Sequence, residues 1–286
     1  MFPDEVRAIP DVVDHRGLRS QIQARLAAFL PKAEAEAEAW RWLAEGLGRD
    51  MAWQLANGED PVPEEHLAKV EGWMERRSLR EPWAHILGWS EWRGRRFEVT
   101  PDTLIPRPET ELVLEAALEV GRRLGIHHAC DVGTGTGILG VSMALETDWK
   151  VVATDLSRKA LRVARRNAAT LGARLEFREG DLLGPVPDPV GLVVSNPPYV
   201  DPADRSTLQP ELSHEPESAL FAADGGLGTA IRLLRDAHAR SAPAVVLEIG
   251  AGQGPELAAQ ARAFGWRKVL IHNDFSSHDR ILIGLA

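Results

Sequence analysis

From Ala129 to the C-terminus, short apolar runs alternate with stretches of helical periodicity. The runs are ACDVG (129–133), KVVATD (150–155), RLEFREGD (174–181), GLVVSN (191–196), AVVLEIG (244–250), KVLIHNDF (268–275) and RILIGL (280–285). Helical patterns fill the gaps between the first six, which predicts an α/β fold with a mostly parallel sheet and helices on both faces. The last two runs lie too close for a crossover helix, so one of them is expected to be antiparallel. The result is a seven-stranded, Rossmann-like sheet.

Ahead of it the periodicity differs. Residues 18–80 read as helices, in LRSQIQARLAAFL, EAEAEAWRWLAEGL and PEEHLAKVEGWMERRSL, separated by the breakers GRD, NGEDPVP and REP. Pro63 before Glu64 and Glu65 suits a helix first turn. AHILGWSEWRGRRFEVT then gives two strand-like runs around Arg93-Gly94, a hairpin. TLIPRPETELVLEAALEVGRRLG places Pro106 and Pro108 before a helix beginning near Glu109. The expected division is a helical domain over 1–84, a β-hairpin linker over 85–100 and an α/β domain over 101–286. Residues 1–17 read as an extension ahead of the first helix.

The chain has 286 residues, 44% of them hydrophobic, enough for two cores, and no apolar stretch long enough to span a membrane. One cysteine, Cys130, excludes an internal disulfide framework and a cysteine-based zinc site, and no metal is expected. With no secretory pattern at the N-terminus, a cytoplasmic protein is expected. The net charge of −9 argues against direct nucleic-acid binding. Two basic clusters stand out, Arg76-Arg77-Arg80 and Arg93-Arg95-Arg96, either solvated faces or a docking patch for a ribosomal or acidic partner.

DVGTGTG (131–137) follows the first strand and opens the helix ILGVSMALE. Its glycines permit a tight turn and close approach of a ligand to free N–H groups at the helix start. Ile138 stands where the dinucleotide fingerprint needs its third glycine, and no Gly-Lys-Ser/Thr of a Walker loop is present. Asp155 ends the second strand, where an acid binds ribose hydroxyls in doubly wound sheets. Asp181 ends the third, within reach of an adenine ring. Either acid alone could be a helix cap. Strand-end acids in register with a glycine loop fit S-adenosylmethionine better than NAD.

SNPPY (195–199) ends the fourth strand and holds the chain's single tyrosine, among nine tryptophans and seven phenylalanines. That strand is expected beside the first, at the topological switch point where such sheets bind ligands. Pro197 and Pro198 remove two N–H donors and stiffen the turn, leaving backbone carbonyls as acceptors. The Asn196 side chain and the Pro197 carbonyl could each accept one hydrogen of a planar NH2 group. Tyr199 could stack on the plane with its hydroxyl at the wet mouth of the site.

TLIPRPETE (103–111), DVGTGTG, SNPPY and the EP plus ADGG stretch at 215–226 together resemble the peptide chain release factor N5-glutamine methyltransferases, the PrmC/HemK family of class I methyltransferases. The resemblance spans nearly the whole chain; NPPY is widely shared, whereas IPRPETE ahead of the glycine loop is far more specific. It implies methyl transfer from S-adenosylmethionine, leaving S-adenosylhomocysteine, to the glutamine of the Gly-Gly-Gln motif of release factors. It implies cofactor contacts at Gly133, Thr134, Gly135, Thr136, Gly137, Asp155, Asp181, Leu182 and Asn196. Substrate contacts fall at Asn196, Pro197, Pro198 and Tyr199, with Asn196, Pro197 and Tyr199 carrying catalysis. Release factors are the expected partners, and a monomer is expected.

An amide nitrogen is a poor nucleophile, and no Cys, Lys or His accompanies the motif, so catalysis must come from alignment and from acceptors placed where positive charge develops. The competing reading is a nucleic-acid methyltransferase acting on adenine N6 or guanine N2, which presents the same planar NH2 after base flipping. A non-catalytic S-adenosylmethionine-binding protein is the third possibility.

Overall fold

The computed structural model describes residues 13–286, in two compact units divided between Leu87 and Gly88. Among the described residues no helix is long and apolar enough to cross a membrane.

The N-terminal unit is helical: α1 (His15–Leu26), α2 (Lys32–Arg41), α3 (Met51–Ala56), α4 (Glu64–Ser78) and α5 (Trp83–Leu87). Its core joins Leu18, Ile22, Leu26, Val70 and Met74 to Trp42 and Trp83, which stack at 4.7 Å with Trp73 edge-on. Both stacked indoles keep a polar tie, Trp42 Nε1 to Glu38 and Trp83 Nε1 to Glu45. Gly46 is a close approach, since a Cβ there would lie 2.5 Å from the Trp73 ring.

Two short helices depart from the periodicity. GRD reads as a breaker, yet Asp50 accepts from the Trp53 N–H at 2.7 Å and so starts α3. Residues 83–87, which partly read as a strand, form α5 because Trp83 and Ile86 are buried in the helical core. Of the N-terminal extension, residues 1–12 lie outside the described residues. Residues 13–17 are built into the unit: Asp14 caps α1 by accepting from the Gly17 N–H at 2.6 Å, and His15 Nδ1 lies 2.9 Å from the Asp60 carbonyl oxygen.

The C-terminal unit opens with the hairpin β1 (Trp89–Trp92) and β2 (Arg95–Glu98). Arg93 and Gly94 both have positive φ, the backbone of a tight primed turn. There follow α6 (Thr110–Leu124), β3 (His128–Val132), α7 (Ile138–Glu146), β4 (Lys150–Asp155), α8 (Arg158–Leu171), β5 (Glu176–Glu179) and β6 (Leu192–Ser195). The chain ends with α9 (Glu217–Leu220), α10 (Gly228–Ala239), β7 (Ala244–Glu248), α11 (Gly254–Phe264), β8 (Lys268–Asn273) and β9 (Asp279–Leu285). Seven strands form one sheet in the order β5-β4-β3-β6-β7-β9-β8. Pairings from β5 to β7 are parallel, and β9 runs antiparallel to both β7 and β8. β6 and β7 are buried along their whole length, as strands covered on both faces must be. The chain leaves β3 toward β4 on one side and reaches β6 on the other, so the switch point lies at the carboxyl ends of β3 and β6.

The arginine clusters are engaged internally. Arg76 pairs with Glu81 and Arg77 with Glu38; Arg93 and Arg95 share Glu146, and Arg96 lies over the Trp89 ring.

Candidate functional site

At the carboxyl ends of β3, β4 and β6 lies a cavity of about 490 Å³. Gly133, Thr134, Gly135 and Thr136 line it, with Asp155, Asp181, Leu182, Asn196, Pro197 and Pro198. The glycine loop turns here because Gly133, Gly135 and Gly137 all take positive φ. A Cβ at Gly133 or Gly135 would meet nothing within 4 Å, so the backbone is open to a ligand there. Gly137 differs: it does not line the cavity, and a Cβ there would press on Ala164 and Val141 at 3.2 Å. Its task is close packing of α7 against α8.

Carboxylates hold the loop in shape. Asp131 Oδ2 accepts from Thr134 Oγ1 at 2.6 Å and from the Gly140 N–H at 2.8 Å. Burial raises its pKa to about 6 against these bonds. Asp131 Oδ1 is buried, has no partner in the protein and belongs to a residue that lines the cavity, which fits a polar ligand. Asp155 Oδ2 accepts from the Gly135 N–H at 2.9 Å and Oδ1 from the Ser157 N–H at 2.8 Å. The side-chain cap of α8 is Ser157, which accepts from the Ala160 N–H, so Asp155 is not the cap of that helix. Asp181 is half exposed and ion-paired with Arg232 on the cavity rim. Leu182 adopts φ +46°, and its carbonyl accepts from Thr154 Oγ1. An open glycine cradle, strand-end carboxylates and an orphan buried oxygen around one cavity fit S-adenosylmethionine.

The turn after β6 is clamped from several sides. Gln253 Nε2 donates to the Tyr199 carbonyl at 3.0 Å, and Val200 bridges to Phe221. Gly226 of ADGG must be glycine, with φ +82° and a would-be Cβ 2.2 Å from the Tyr199 carbonyl oxygen. Tyr199 itself departs from expectation. It is not among the cavity-lining residues, and its hydroxyl is not at a wet mouth but donates to Glu248 Oε1 at 3.3 Å. Burial, and next the charge of Glu248, push its pKa up to about 12.

Residues to which the sequence reading gave no site role complete the site. Leu104, Pro106, Arg107 and Thr110 bring the TLIPRPET stretch into the cavity wall. Buried Glu215 anchors that stretch, accepting from the Ile105 N–H at 2.8 Å and pairing with Arg107 at 2.5 Å. Glu248, only 1% exposed at the end of β7, accepts from Thr110 Oγ1 at 2.6 Å. Like Asp155 it is an acid closing an apolar strand, and that position was the signal available in the sequence.

Burial raises the Glu248 pKa to about 7, although Thr110, Arg280 and Tyr199 favour its charged form; Glu109 adds to the rise. The native state therefore holds this proton between about pH 4.5 and about 7, where the unfolded chain has released it. Stability contributed by this group falls as pH rises across that window, by about 3 kcal/mol at most. Glu248→Gln, which stays neutral, is expected to gain thermal midpoint relative to the unsubstituted protein between about pH 5 and about pH 8. A constant difference across that range would show that Glu248 does not titrate there.

Comparison with known proteins agrees with this arrangement. Residues 110–231 match the Methyltransferase small domain, and residues 19–88 match the PrmC N-terminal domain. The release factor glutamine methyltransferase of Deinococcus radiodurans is 40% identical over 273 residues, spanning 93% of this chain and 96% of that protein. The one from Bordetella pertussis is 40% identical over 258 residues, 88% of this chain and 94% of that protein. Among solved structures, the human METTL16 catalytic domain in complex with a MAT2A 3′UTR hairpin has a TM-score of 0.56 at 15% identity, covering 79% of this chain and 84% of that one. The METTL16 N-terminal domain in complex with SAH has a TM-score of 0.50 at 15% identity, covering 80% and 86%. These likenesses show a class I methyltransferase fold for the α/β unit. With a glycine-loop cavity, an Asn-Pro-Pro-Tyr turn at the switch point and close relatives along nearly its whole length, the chain belongs to the release factor glutamine methyltransferase family.

Proposed function

We propose that the protein transfers a methyl group from S-adenosylmethionine to the side-chain amide nitrogen (N5) of the glutamine in the Gly-Gly-Gln motif of peptide chain release factors. The observation that carries this reading is the placement of Asn196, Pro197 and Pro198 on the wall of the glycine-loop cavity. The names of the relatives support the choice of substrate.

In this reading Gly133, Thr134, Gly135, Asp155, Asp181 and Leu182 hold the cofactor. When bound it supplies a methyl group made electrophilic by its sulfonium. The Asn196 carbonyl oxygen and the Pro197 carbonyl each accept one hydrogen of the glutamine NH2, which fixes the plane of the nitrogen and its lone-pair direction. Their negative ends face the positive charge that builds on nitrogen in the transition state. Holding two reactants in line contributes up to roughly 7–11 kcal/mol. No side chain is needed to remove the proton before transfer, because the alkylated amide is acidic enough to lose it to water. Tyr199 acts from behind the turn, through its bond to Glu248, and not by stacking on the substrate. A monomer working in the cytoplasm, where release factors act, belongs to the same reading.

The test is transfer of labelled methyl into a release factor, the same factor with its motif glutamine replaced by alanine, and RNA. Label is expected in the first alone. Equal labelling of the two factors would reject the motif glutamine as the target, and labelling of RNA alone would favour the exocyclic-amino alternative.

A further inference from the structure

Asn196 Nδ2 donates to Thr110 Oγ1 at 3.2 Å, and Thr110 Oγ1 donates to Glu248 Oε2 at 2.6 Å. The direction of these bonds follows from chemistry. A hydroxyl has one hydrogen, and above about pH 7, where Glu248 is ionised, its carboxylate only accepts. Thr110 therefore gives its hydrogen to Glu248 and turns a lone pair toward Asn196. The two ends of a carboxamide have nearly the same shape and opposite hydrogen-bonding character. Only the NH2 end satisfies that lone pair, so Asn196 Oδ1 is left for the cavity. The reverse orientation would set two acceptors against each other at Thr110 and present an NH2 group to the substrate's own NH2. Thr110 is fully buried and Glu248 nearly so, which keeps water from exchanging for either partner.

We propose that Glu248, acting through Thr110, sets the orientation of the Asn196 amide so that its carbonyl oxygen meets the substrate nitrogen. Thr110 and Glu248 are positioning residues, and the inference rests on the reading of Asn196 as an acceptor for the glutamine NH2. The same carboxylate holds the Tyr199 hydroxyl through Oε1, so one buried group ties both ends of the Asn-Pro-Pro-Tyr turn. It also connects the IPRPETE stretch, through Thr110 at the start of α6, to the end of β7, two segments far apart in sequence.

The test is steady-state methylation of release factor at about pH 8.5, where Glu248 is ionised, and at saturating S-adenosylmethionine, by the full-length protein carrying Thr110→Val, Thr110→Ala, Thr110→Ser or Asn196→Ala. In the valine and alanine variants kcat is expected to fall about tenfold to a hundredfold, the usual effect of losing a group that orients a site residue. KM for release factor and affinity for S-adenosylhomocysteine should change by less than a few-fold, because this is one contact among many in the ground state and matters most where charge builds on the nitrogen. Thr110→Ser, which keeps the hydroxyl, should recover kcat to within a few-fold of the unsubstituted enzyme. Thr110→Ala carries the test if the valine variant does not fold. Equal losses in the serine and alanine variants would overturn the proposal. So would an undiminished kcat in Thr110→Ala while Asn196→Ala is inactive. An active Asn196→Ala enzyme would instead remove the reading of Asn196 beneath it.

Discussion

Asn196→Ala is expected to lower the single-turnover rate of methyl transfer by about 10²–10³-fold at saturating cofactor, the loss typical of deleting one pre-organised charge-stabilising partner. The size follows from what the turn can offer. Pro197 and Pro198 contribute no N–H, so the turn presents carbonyl acceptors, and Asn196 supplies its side-chain oxygen. In the proposed reading, truncation leaves the Pro197 carbonyl alone to hold one hydrogen of the NH2, and the nitrogen loses its fixed orientation. Asn196 follows immediately on the fully buried β6, so removing its side chain should leave the sheet in place. Circular dichroism and titration with S-adenosylhomocysteine would confirm a folded, cofactor-competent variant. A single-turnover rate within a few-fold of the unsubstituted enzyme would reject Asn196 as the acceptor.

Much of this site was legible because its parts are local in sequence. DVGTGTG and SNPPY are continuous, each at a strand end, and the mostly parallel pairing follows from alternation and connection length. β9 is antiparallel because too few residues separate it from β8 for a crossover. What the sequence hid is pairing over long separations. Thr110 and Glu248 lie 138 residues apart and Ile105 and Glu215 lie 110 apart, and nothing in either local pattern announces the partner. Tyr199 shows the same limit from the other side. Its isolation in the composition pointed to function, but its direction depended on an acid in another strand. The short helices α3 and α5 escaped for a different reason. Each is too short for periodicity to register and exists through a cap or through burial in the tryptophan cluster.

Removing residues 1–87 is expected to reduce methylation of an intact release factor by about 10²-fold while leaving activity on a short Gly-Gly-Gln peptide nearly unchanged. Selectivity is the reason. The cavity is built from residues of the C-terminal unit alone, so the cofactor site should survive the deletion. A pocket that grips one carboxamide has too few contacts to choose one glutamine among the many that a cell contains. Selection must come from surface outside it, and among the described residues the helical unit contributes none to the cavity lining. Binding energy gained there would position a reacting group that the pocket holds weakly, which raises the rate without new chemistry. If the proposed Gly-Gly-Gln target is right, its glycines suit this division, since a backbone without side chains reaches a recessed methyl group where a bulkier one would not. Full-length and truncated enzymes should be compared on both substrates, with S-adenosylhomocysteine affinity as the check on folding. If truncation slowed peptide and protein equally while cofactor affinity held, docking would be the wrong account, and the helical unit would be acting on the catalytic unit itself.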